Sequence, residues 1–170
     1  MNSTNKTNTA ANAKQLAASF VQNYTGNNFV NDVAAFLADT LKVDYVLIGK
    51  LQNQDCTSVE TVSLYAKGGH AGQMVYKLHG TPCENVVGRN LCYYPKGVQD
   101  LFPDDKELAD LGIESYIGSP LFDEKRQPMG LIVLMHSQTI PNPENVQEVL
   151  QEVTKRTEED LRKASVATNQ

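Results

Sequence analysis

The stretch of residues 78–121 constrains the possible folds most strongly, because it interrupts a series of apolar strands with a long segment rich in proline, glycine and tyrosine. Proline fixes the backbone and glycine frees it at defined points, so such a segment is typical of shaped, ordered structure and not of a tail. Long ordered loops on a compact domain are usually functional. The stretch therefore predicts a binding segment laid over a scaffold.

The rest of the chain supplies the scaffold as amphipathic helices and apolar strands. Helical periodicity is found at residues 14–24, at 28–41 with Asn28 as N-cap, and at 143–164, where Asn142 precedes Pro143 at the first helical position. Strand patterns occupy residues 44–51, 58–66, 73–78, 116–122 and 129–135, and the glycine-rich residues 67–72 predict a flexible connection. This order predicts an α+β fold, with a central antiparallel sheet and the terminal helices on one face.

The domain limits follow from where the apolar pattern begins and ends. Residues 1–13 lack large apolar side chains after Met1 and are predicted to be disordered, residues 14–164 to form one domain, and residues 165–170 to form a frayed tail. Beyond Thr154 the last helix is almost entirely polar. We expect that half to be covered by a partner helix or by solvent, since the core of its own domain offers it little.

Composition excludes several classes of function. With a net charge of −5 at pH 7, the chain offers no basic face to neutralise nucleic-acid phosphates. It has no apolar run long enough for a membrane helix and no signal-peptide pattern, and its three cysteines fit a reducing compartment. The sequence predicts a cytoplasmic protein that binds neither nucleic acid nor membrane.

Several short motifs together carry a resemblance to a known family. They are Gly-Thr-Pro-Cys-Glu-Asn-Val at residues 80–86, Tyr-Pro at 94–95, Leu-Phe-Pro-Asp at 101–104, Ser-Tyr-Ile-Gly-Ser-Pro-Leu at 115–121 and Gly-Leu-Ile-Val at 130–133. This set resembles a GAF domain, in particular the GAF sensor modules of bacterial signalling proteins, over roughly residues 29–140. The Thr-Pro-Cys-Glu piece is the most specific part of the resemblance.

The resemblance implies a PAS-related fold with a loop-built pocket on the sheet face opposite the helices. It also implies a domain that binds small molecules or passes signals, usually as a dimer through its terminal helices. The chain departs from the family where residues 125–127 replace the usual glycine at the hairpin tip. The Asn-Lys-x-x-Phe-x-x-x-Asp-Glu pattern of cyclic-nucleotide-binding members and an evident bilin-attachment motif are also absent.

The candidate pocket residues combine tyrosines, which carry a polar tip on an apolar body, with the Thr-Pro-Cys-Glu segment and small or apolar neighbours. The predicted ligand-pocket residues are Tyr76, Leu78, Thr81, Cys83, Val86, Tyr94, Tyr116 and Gly118. An alternative interpretation makes Thr81, Pro82 and Glu84 a helix capping box without a ligand, and both interpretations can hold together.

The sequence supports a catalytic or metal-binding site less well than it supports a ligand pocket. His70, His79 and His136 share no metal-ligand spacing, although a single histidine could still ligate a haem. Cys83 and Cys92 invite comparison with free methionine sulfoxide reductases, which are small single GAF domains, but the sequence around those cysteines does not match.

Three hypotheses follow. The first is a non-enzymatic sensor domain that binds an unidentified small molecule and relays its ligand state through the C-terminal helix to a fused or separate output domain. The second is a GAF module that only dimerises, and the third is a redox enzyme of the methionine sulfoxide reductase type. The sequence identifies no metal site, and the cofactor is unknown.

Overall fold

Five helices and seven strands build the fold, a computed structural model that describes the backbone of residues 3–52 and 56–168 and the side chains of residues 12–52 and 56–163. The helices are α1 (Ser3–Gln22), α2 (Phe29–Leu41), α3 (Val98–Leu101), α4 (Lys106–Asp110) and α5 (Pro143–Thr168), with a short 3₁₀ helix at Pro82–Asn85. The strands are β1 (Tyr45–Leu51), β2 (Ser58–Ala66), β3 (Gly69–His70), β4 (Val75–Lys77), β5 (Cys92–Tyr94), β6 (Ser115–Phe122) and β7 (Pro128–His136).

All seven strands form one antiparallel sheet in the order β3-β2-β1-β7-β6-β5, and β4 joins β3 on the outer edge of β2. The predicted α+β architecture is confirmed. The glycine-rich connection, predicted to be only flexible, instead contains β3, because Gly69 and His70 pair with Ala66 and Tyr65 of β2. Such a short strand depends on pairing across the turn and leaves no periodic signal in the sequence.

The central strands bury side chains on both faces of the sheet. In β1, Val46 and Ile48 contribute to a core beneath the helices, whereas Tyr45 and Leu47 contribute to a second core on the opposite face. Strand β7 repeats this alternation, as expected from the two-residue period of a strand. The sheet therefore separates a helix-side core from a core covered by residues 78–113.

Helix α1 covers the polar half of α5, contrary to the prediction that a partner or solvent would do so. Ala13 and Ala17 of α1 are buried in the same core as Leu161 of α5, and the two helices pack side by side. Thr157 is also fully buried and donates its hydroxyl to the Val153 carbonyl at 2.8 Å. Because the alanine side chains are small, the two helices can approach closely. The few apolar residues in this half of α5 are then sufficient to form a buried contact with α1.

Arg156 links α5 to α2 and to the connection between α1 and α2. The Arg156 guanidinium lies 5.6 Å from the Tyr24 ring centroid and 4.9 Å from that of Phe29, and its Nε donates to Asp160 at 3.1 Å. The Tyr24 hydroxyl in turn donates to Asp32 of α2. The two cation–π contacts position α5 against α2 and the α1–α2 connection, and the ion pair with Asp160 holds the Arg156 side chain in place within α5.

Helix α1 begins at Ser3, earlier than Lys14, where the apolar pattern begins. A helix propagates beyond its packed turns because each added residue forms another backbone hydrogen bond. Helix α5 begins at Pro143 as predicted and continues to Thr168, past the predicted end at residue 164. Residues 1, 2, 169 and 170 lie outside the described residues, and the division into segments 1–13, 14–164 and 165–170 stays a prediction.

The tip of the β6–β7 hairpin is closed by an aspartate and by one residue in the left-handed conformation. The Asp123 carboxylate accepts the backbone N–H groups of Lys125 and Gln127 at 2.8 and 2.9 Å. Arg126 takes a φ of 63°, a conformation that glycine adopts more readily. The chain thus meets the backbone requirement of the turn without a glycine.

Candidate functional site

Residues 78–113, apart from the edge strand β5 and the turn at residues 89–91 before it, cover the sheet face that the helices leave open. Leu78, Val86, Val98, Leu108 and Ile113 are buried and form this cover's contribution to the second core. They pack against side chains of the central strands β1 and β7. The predicted organisation, in which the middle of the chain lies over one face of the sheet, is therefore present in the structure.

The Thr-Pro-Cys-Glu segment forms the 3₁₀ helix, but its hydrogen bonds differ from those of a capping box. The Glu84 carboxylate accepts the N–H of Gly80 at 3.1 Å, and the Thr81 hydroxyl donates to the Leu78 carbonyl at 2.7 Å. Thr81 makes no side-chain cap hydrogen bond. The predicted reciprocal capping box is wrong in this respect, since Gly80 with a φ of 81° turns its own N–H toward Glu84.

A partly open cavity of about 320 Å³ lies between this cover and the sheet. Leu47, Val133 and Met135 of the central strands line it from the sheet, and Leu108 of α4 lines it from the cover. Tyr76, Thr81, Pro82, Cys83 and Tyr116 also line the cavity. Its size and mainly apolar walls with a few polar groups are typical of small-molecule sites.

The Cys83 thiol lies at the wall of this cavity between two tyrosine hydroxyls. The Tyr116 hydroxyl lies 3.1 Å and the Tyr76 hydroxyl 3.5 Å from the Cys83 sulfur, and both donate to it. Burial raises the pKa of the thiol, although the hydrogen bonds from the two tyrosines act in the opposite direction. Burial and the neighbouring Cys83 also raise the pKa of Tyr116 and of Tyr76. All three groups are therefore neutral at physiological pH.

Charged side chains surround the opening. Lys77, His79, Asp104, Asp105 and Lys106 line it together with Glu107. Burial raises the pKa of the Asp105 carboxyl, although the backbone N–H groups of Glu107 and Leu108 act in the opposite direction. Burial also raises the pKa of Glu107, and the charges of Asp105 and Asp110 raise it further. The opening therefore holds carboxyl groups that are more basic than usual.

Replacing Asp105 by asparagine is expected to raise the free energy of unfolding slightly at pH 7 and to reduce its pH dependence. Because the pKa of Asp105 is raised in the folded state, the folded protein takes up this proton first as the pH falls. Its contribution to stability is thus complete below the ordinary pKa of 3.8 and is lost as the pH rises through the raised value. Urea unfolding of both proteins at about pH 7 and pH 4.5 measures the effect. An Asp105→Asn variant with the wild-type pH dependence would contradict it.

The eight predicted pocket residues divide into two groups. Those that line the cavity are Tyr76, Thr81, Cys83 and Tyr116. Those that do not are Leu78, Val86, Tyr94 and Gly118. Leu78 and Val86 are buried within the cover, and the Tyr94 ring packs against Phe102 and Tyr116. Whether any of the eight contacts a ligand stays a prediction.

Gly118 provides room for packing and does not line the cavity. It pairs with Cys92 of β5, and a Cβ atom there would lie 2.6 Å from Val86 Cγ2 and 2.8 Å from the Tyr116 ring. The absence of a side chain therefore lets the cover approach β6.

The contribution of α4 and of the sheet to the cavity was not predicted from the sequence. Leu108 and Leu111 lie three residues apart, a spacing that places both on one face of a helix, and this is the signal that could have identified α4. Leu47, Val133 and Met135 are indistinguishable from other core strand residues in the sequence. Their place at the cavity depends on which face of the sheet each side chain occupies.

The three histidines lie apart. His136 Nδ1 accepts the backbone N–H of Asp44 at 3.2 Å, the His70 ring packs edge-on against Tyr65, and His79 lies 3.5 Å from the Glu84 carboxylate. Among the described residues, no group of three or more histidine, cysteine, aspartate or glutamate side chains is arranged to hold a metal ion. Within the same residues, no helix combines the length and the hydropathy that crossing a membrane requires.

The fold and the cavity define an α+β domain with a pocket on the sheet face opposite its terminal helices. The family model described as GAF domain matches residues 27–161, and the chain belongs to the GAF domain family. A comparison with curated proteins gave no match.

Solved GAF domains share the fold at low sequence identity. The GAF domain from an Acinetobacter phosphoenolpyruvate-protein phosphotransferase is 15% identical with a TM-score of 0.68, covering 95% of this chain and 98% of that chain. A phycocyanobilin-bound GAF domain from a cyanobacterial phytochrome is 15% identical with a TM-score of 0.64, and the match covers 93% of this chain and 96% of that chain. The GAF domain of a two-component sensor histidine kinase from Bacillus halodurans is 17% identical with a TM-score of 0.62, and the match covers 82% of this chain and 97% of that chain.

Proposed function

We propose that this chain is a cytoplasmic, small-molecule-binding GAF sensor domain of a bacterial signal-transduction protein, and that it relays its ligand state through α5. The observation that carries the proposal is the cavity of about 320 Å³ between the sheet and residues 78–113. A fused or separate output domain would receive the signal. Neither nucleic acid nor membrane is a partner in this proposal.

The composition of the cavity wall supports a ligand with an apolar body and a few hydrogen-bonding groups. Leu47, Leu108 and Val133 supply apolar surface, and the Thr81 hydroxyl and the charged opening supply polar contacts. Two of the similar structures support the sensory role by their names, since one is a phycocyanobilin-bound GAF domain of a phytochrome and another belongs to a sensor histidine kinase.

The strand alternation supports a route from the cavity to α5. Tyr116 lines the cavity, and the next residue, Ile117, lies in the helix-side core that includes α5. Farther along β6, the Phe122 N–H donates to the Glu158 carboxylate of α5 at 2.6 Å. If β6 can adopt two positions and the ligand binds one of them more tightly, the ligand shifts the protein toward the α5 packing that belongs to that position. The size of the shift is set by the difference in affinity.

Thermal-shift screening of a metabolite library tests the proposal. A compound at about 100 times its Kd stabilises the folded state by roughly 2.7 kcal/mol, which raises the Tm by roughly 5 to 10 °C for a domain of this size. Val133→Phe adds a ring at the cavity wall and should abolish that shift. Leu101→Phe adds the same ring at an exposed position outside the cavity and should preserve it. Failure of every compound, or an equal shift in Val133→Phe, would contradict ligand binding in the cavity.

We also propose that the protein dimerises through its terminal helices. If it dimerises but binds no ligand, it is the GAF module that only dimerises. The supporting observation is Leu16 of α1, a large apolar side chain that is 48% exposed. Light scattering across a concentration series tests it, because a dimer roughly doubles the mass. A monomer at every concentration would exclude dimerisation as the function.

We propose a regulatory and not a catalytic role, because the cysteines lack the features of redox nucleophiles. Burial raises the pKa of Cys83 and of Cys92, so both are held as thiols, whereas reactive cysteines are thiolates. Among the described residues, neither Cys83 nor Cys92 is part of a disulfide. Thiol-dependent turnover that is lost when Cys83 and Cys92 are both replaced by serine would support the redox alternative instead.

A further inference from the structure

A second cavity of about 560 Å³ lies on the opposite face of the sheet, as a groove between α5, the end of β6 and the turn at residues 89–91. Leu91, Pro120, Phe122 and Leu150 provide apolar surface in it. One stripe of α5 lines its other side, through residues three and four positions apart from Gln147 to Glu158. The groove shares no lining residue with the cavity of the proposed function.

The groove is positively charged although the chain carries a net charge of −5. Arg89, Arg126 and Lys155 line it, against a single acidic residue, Glu158. That carboxylate already accepts the Phe122 N–H at 2.6 Å. In the part of the chain that the structure describes, none of the three cations forms an ion pair with a carboxylate.

One of the cations is held in place next to apolar surface. The Arg126 guanidinium lies 4.8 Å from the centroid of the Phe122 ring, which is itself a lining residue of the groove. A guanidinium stacked on a ring keeps its N–H edge free, and that edge matches carboxylate and phosphate oxygens in geometry. Arg126 therefore combines a preorganised anion contact with a flat apolar surface beside it.

We propose that this groove binds a small organic anion, whose apolar body contacts Pro120, Phe122 and Leu150 and whose carboxylate or phosphate group binds Arg89, Arg126 and Lys155. The proposal stands independently of the function proposed for the first cavity. The three cations, none of which forms an ion pair among the described residues, supply the charge, and the apolar surface supplies the preference for an organic ligand over a bare inorganic ion.

Phenyl phosphate serves as the probe, followed by amide chemical shifts in two-dimensional NMR. We expect saturable shifts at groove residues such as Ser119, Gln151 and Thr154, with a Kd on the order of 1 mM or tighter. Inorganic phosphate and benzyl alcohol test the two halves of the probe separately. Each should bind at least about tenfold more weakly than phenyl phosphate, because each lacks one set of contacts.

Two variants test the role of the cations without disturbing the fold. Arg126→Gly removes a cation but satisfies the left-handed backbone, so the turn is retained, and Lys155→Gln replaces an exposed side chain. Each should weaken phenyl phosphate binding about tenfold, the usual loss for one charge-assisted contact. Lys96→Gln, an exposed lysine outside the groove, should leave binding unchanged.

Four results would overturn the proposal: shifts that do not saturate, shifts that map to the lining of the first cavity (such as Tyr76, Cys83 and Leu108) instead of the groove, equal binding of benzyl alcohol or inorganic phosphate, or wild-type affinity in both cation variants. Shifts confined to the lining of the first cavity would leave the function proposed for that cavity intact. A metabolite screen that finds no ligand for the first cavity would likewise not contradict the proposal that the groove binds an organic anion.

Discussion

Replacing Tyr116 by alanine is expected to lower the free energy of unfolding by about 4 kcal/mol. Tyr116 is 1% exposed and is among the largest fully buried side chains. Its ring packs 5.8 Å from that of Tyr94, and its hydroxyl donates to the Cys83 sulfur. Truncation removes the packed ring and leaves a void beside the existing cavity. Urea unfolding followed by circular dichroism measures the loss.

Tyr116→Phe is the matched control, because it retains the ring and removes only the hydroxyl. We expect a loss of about 1 kcal/mol, the usual net value of one hydrogen bond. A Tyr116→Ala loss no greater than that of Tyr116→Phe would show that the ring is not packed as described. The cover would then lie more loosely on the sheet than the structure has it.

Replacing Gly130 by alanine is expected to cost about 3 kcal/mol, or roughly 10 °C in Tm for a domain of this length. Gly130 of β7 lies opposite Lys50 of β1 in the central strand pair. A Cβ atom at Gly130 would collide with the backbone carbonyl oxygen of Gly49, and its next contact would be the Gly49 carbonyl carbon at 3.2 Å. Backbone cannot rotate away as a side chain can, so the two strands would have to separate.

Gly72→Ala provides the comparison, since a Cβ atom there meets no atom within 4 Å and its backbone is not left-handed. Its stability should remain within about 0.5 kcal/mol of wild type, as for other surface substitutions. Calorimetry of the two alanine variants under the same conditions compares them directly. A Gly130→Ala variant as stable as Gly72→Ala would contradict the close pairing of β1 and β7.

Local periodicity was sufficient to predict the main elements of the fold. The apolar stripe from Phe29 to Leu41 identified α2, and the apolar runs at residues 44–51 and 129–135 identified the two central strands. These patterns extend over several residues and have one dominant period. The family motifs then indicated the fold in which these elements are arranged.

Features that depend on contacts between distant residues could not be read from local pattern. Ala13 and Ala17 look unremarkable in sequence, yet they bring α1 close enough to bury Leu161 and Thr157 of α5. The β3 pairing also depends on a partner strand. In each case the deciding contact joins positions that no sequence window contains.

Only part of the cavity lining was predicted, because the rest of it also depends on contacts between residues that are distant in the sequence. Tyr76, Thr81, Cys83 and Tyr116 have distinctive chemistry or lie in a motif, and all four line the cavity. Leu78 and Val86 lie in the same segment but pack inward, and spacing in irregular structure does not reveal side-chain direction. The sheet residues and α4 enter the site only through the tertiary fold.

A crystal structure of the protein with a compound from the thermal-shift screen shows whether the cavity between the sheet and residues 78–113 binds a ligand. We expect electron density for the compound between the sheet and residues 78–113, in contact with Tyr76, Thr81 and Cys83. A compound bound elsewhere, with the side chains of Tyr76 and Leu108 closing the space, would contradict it.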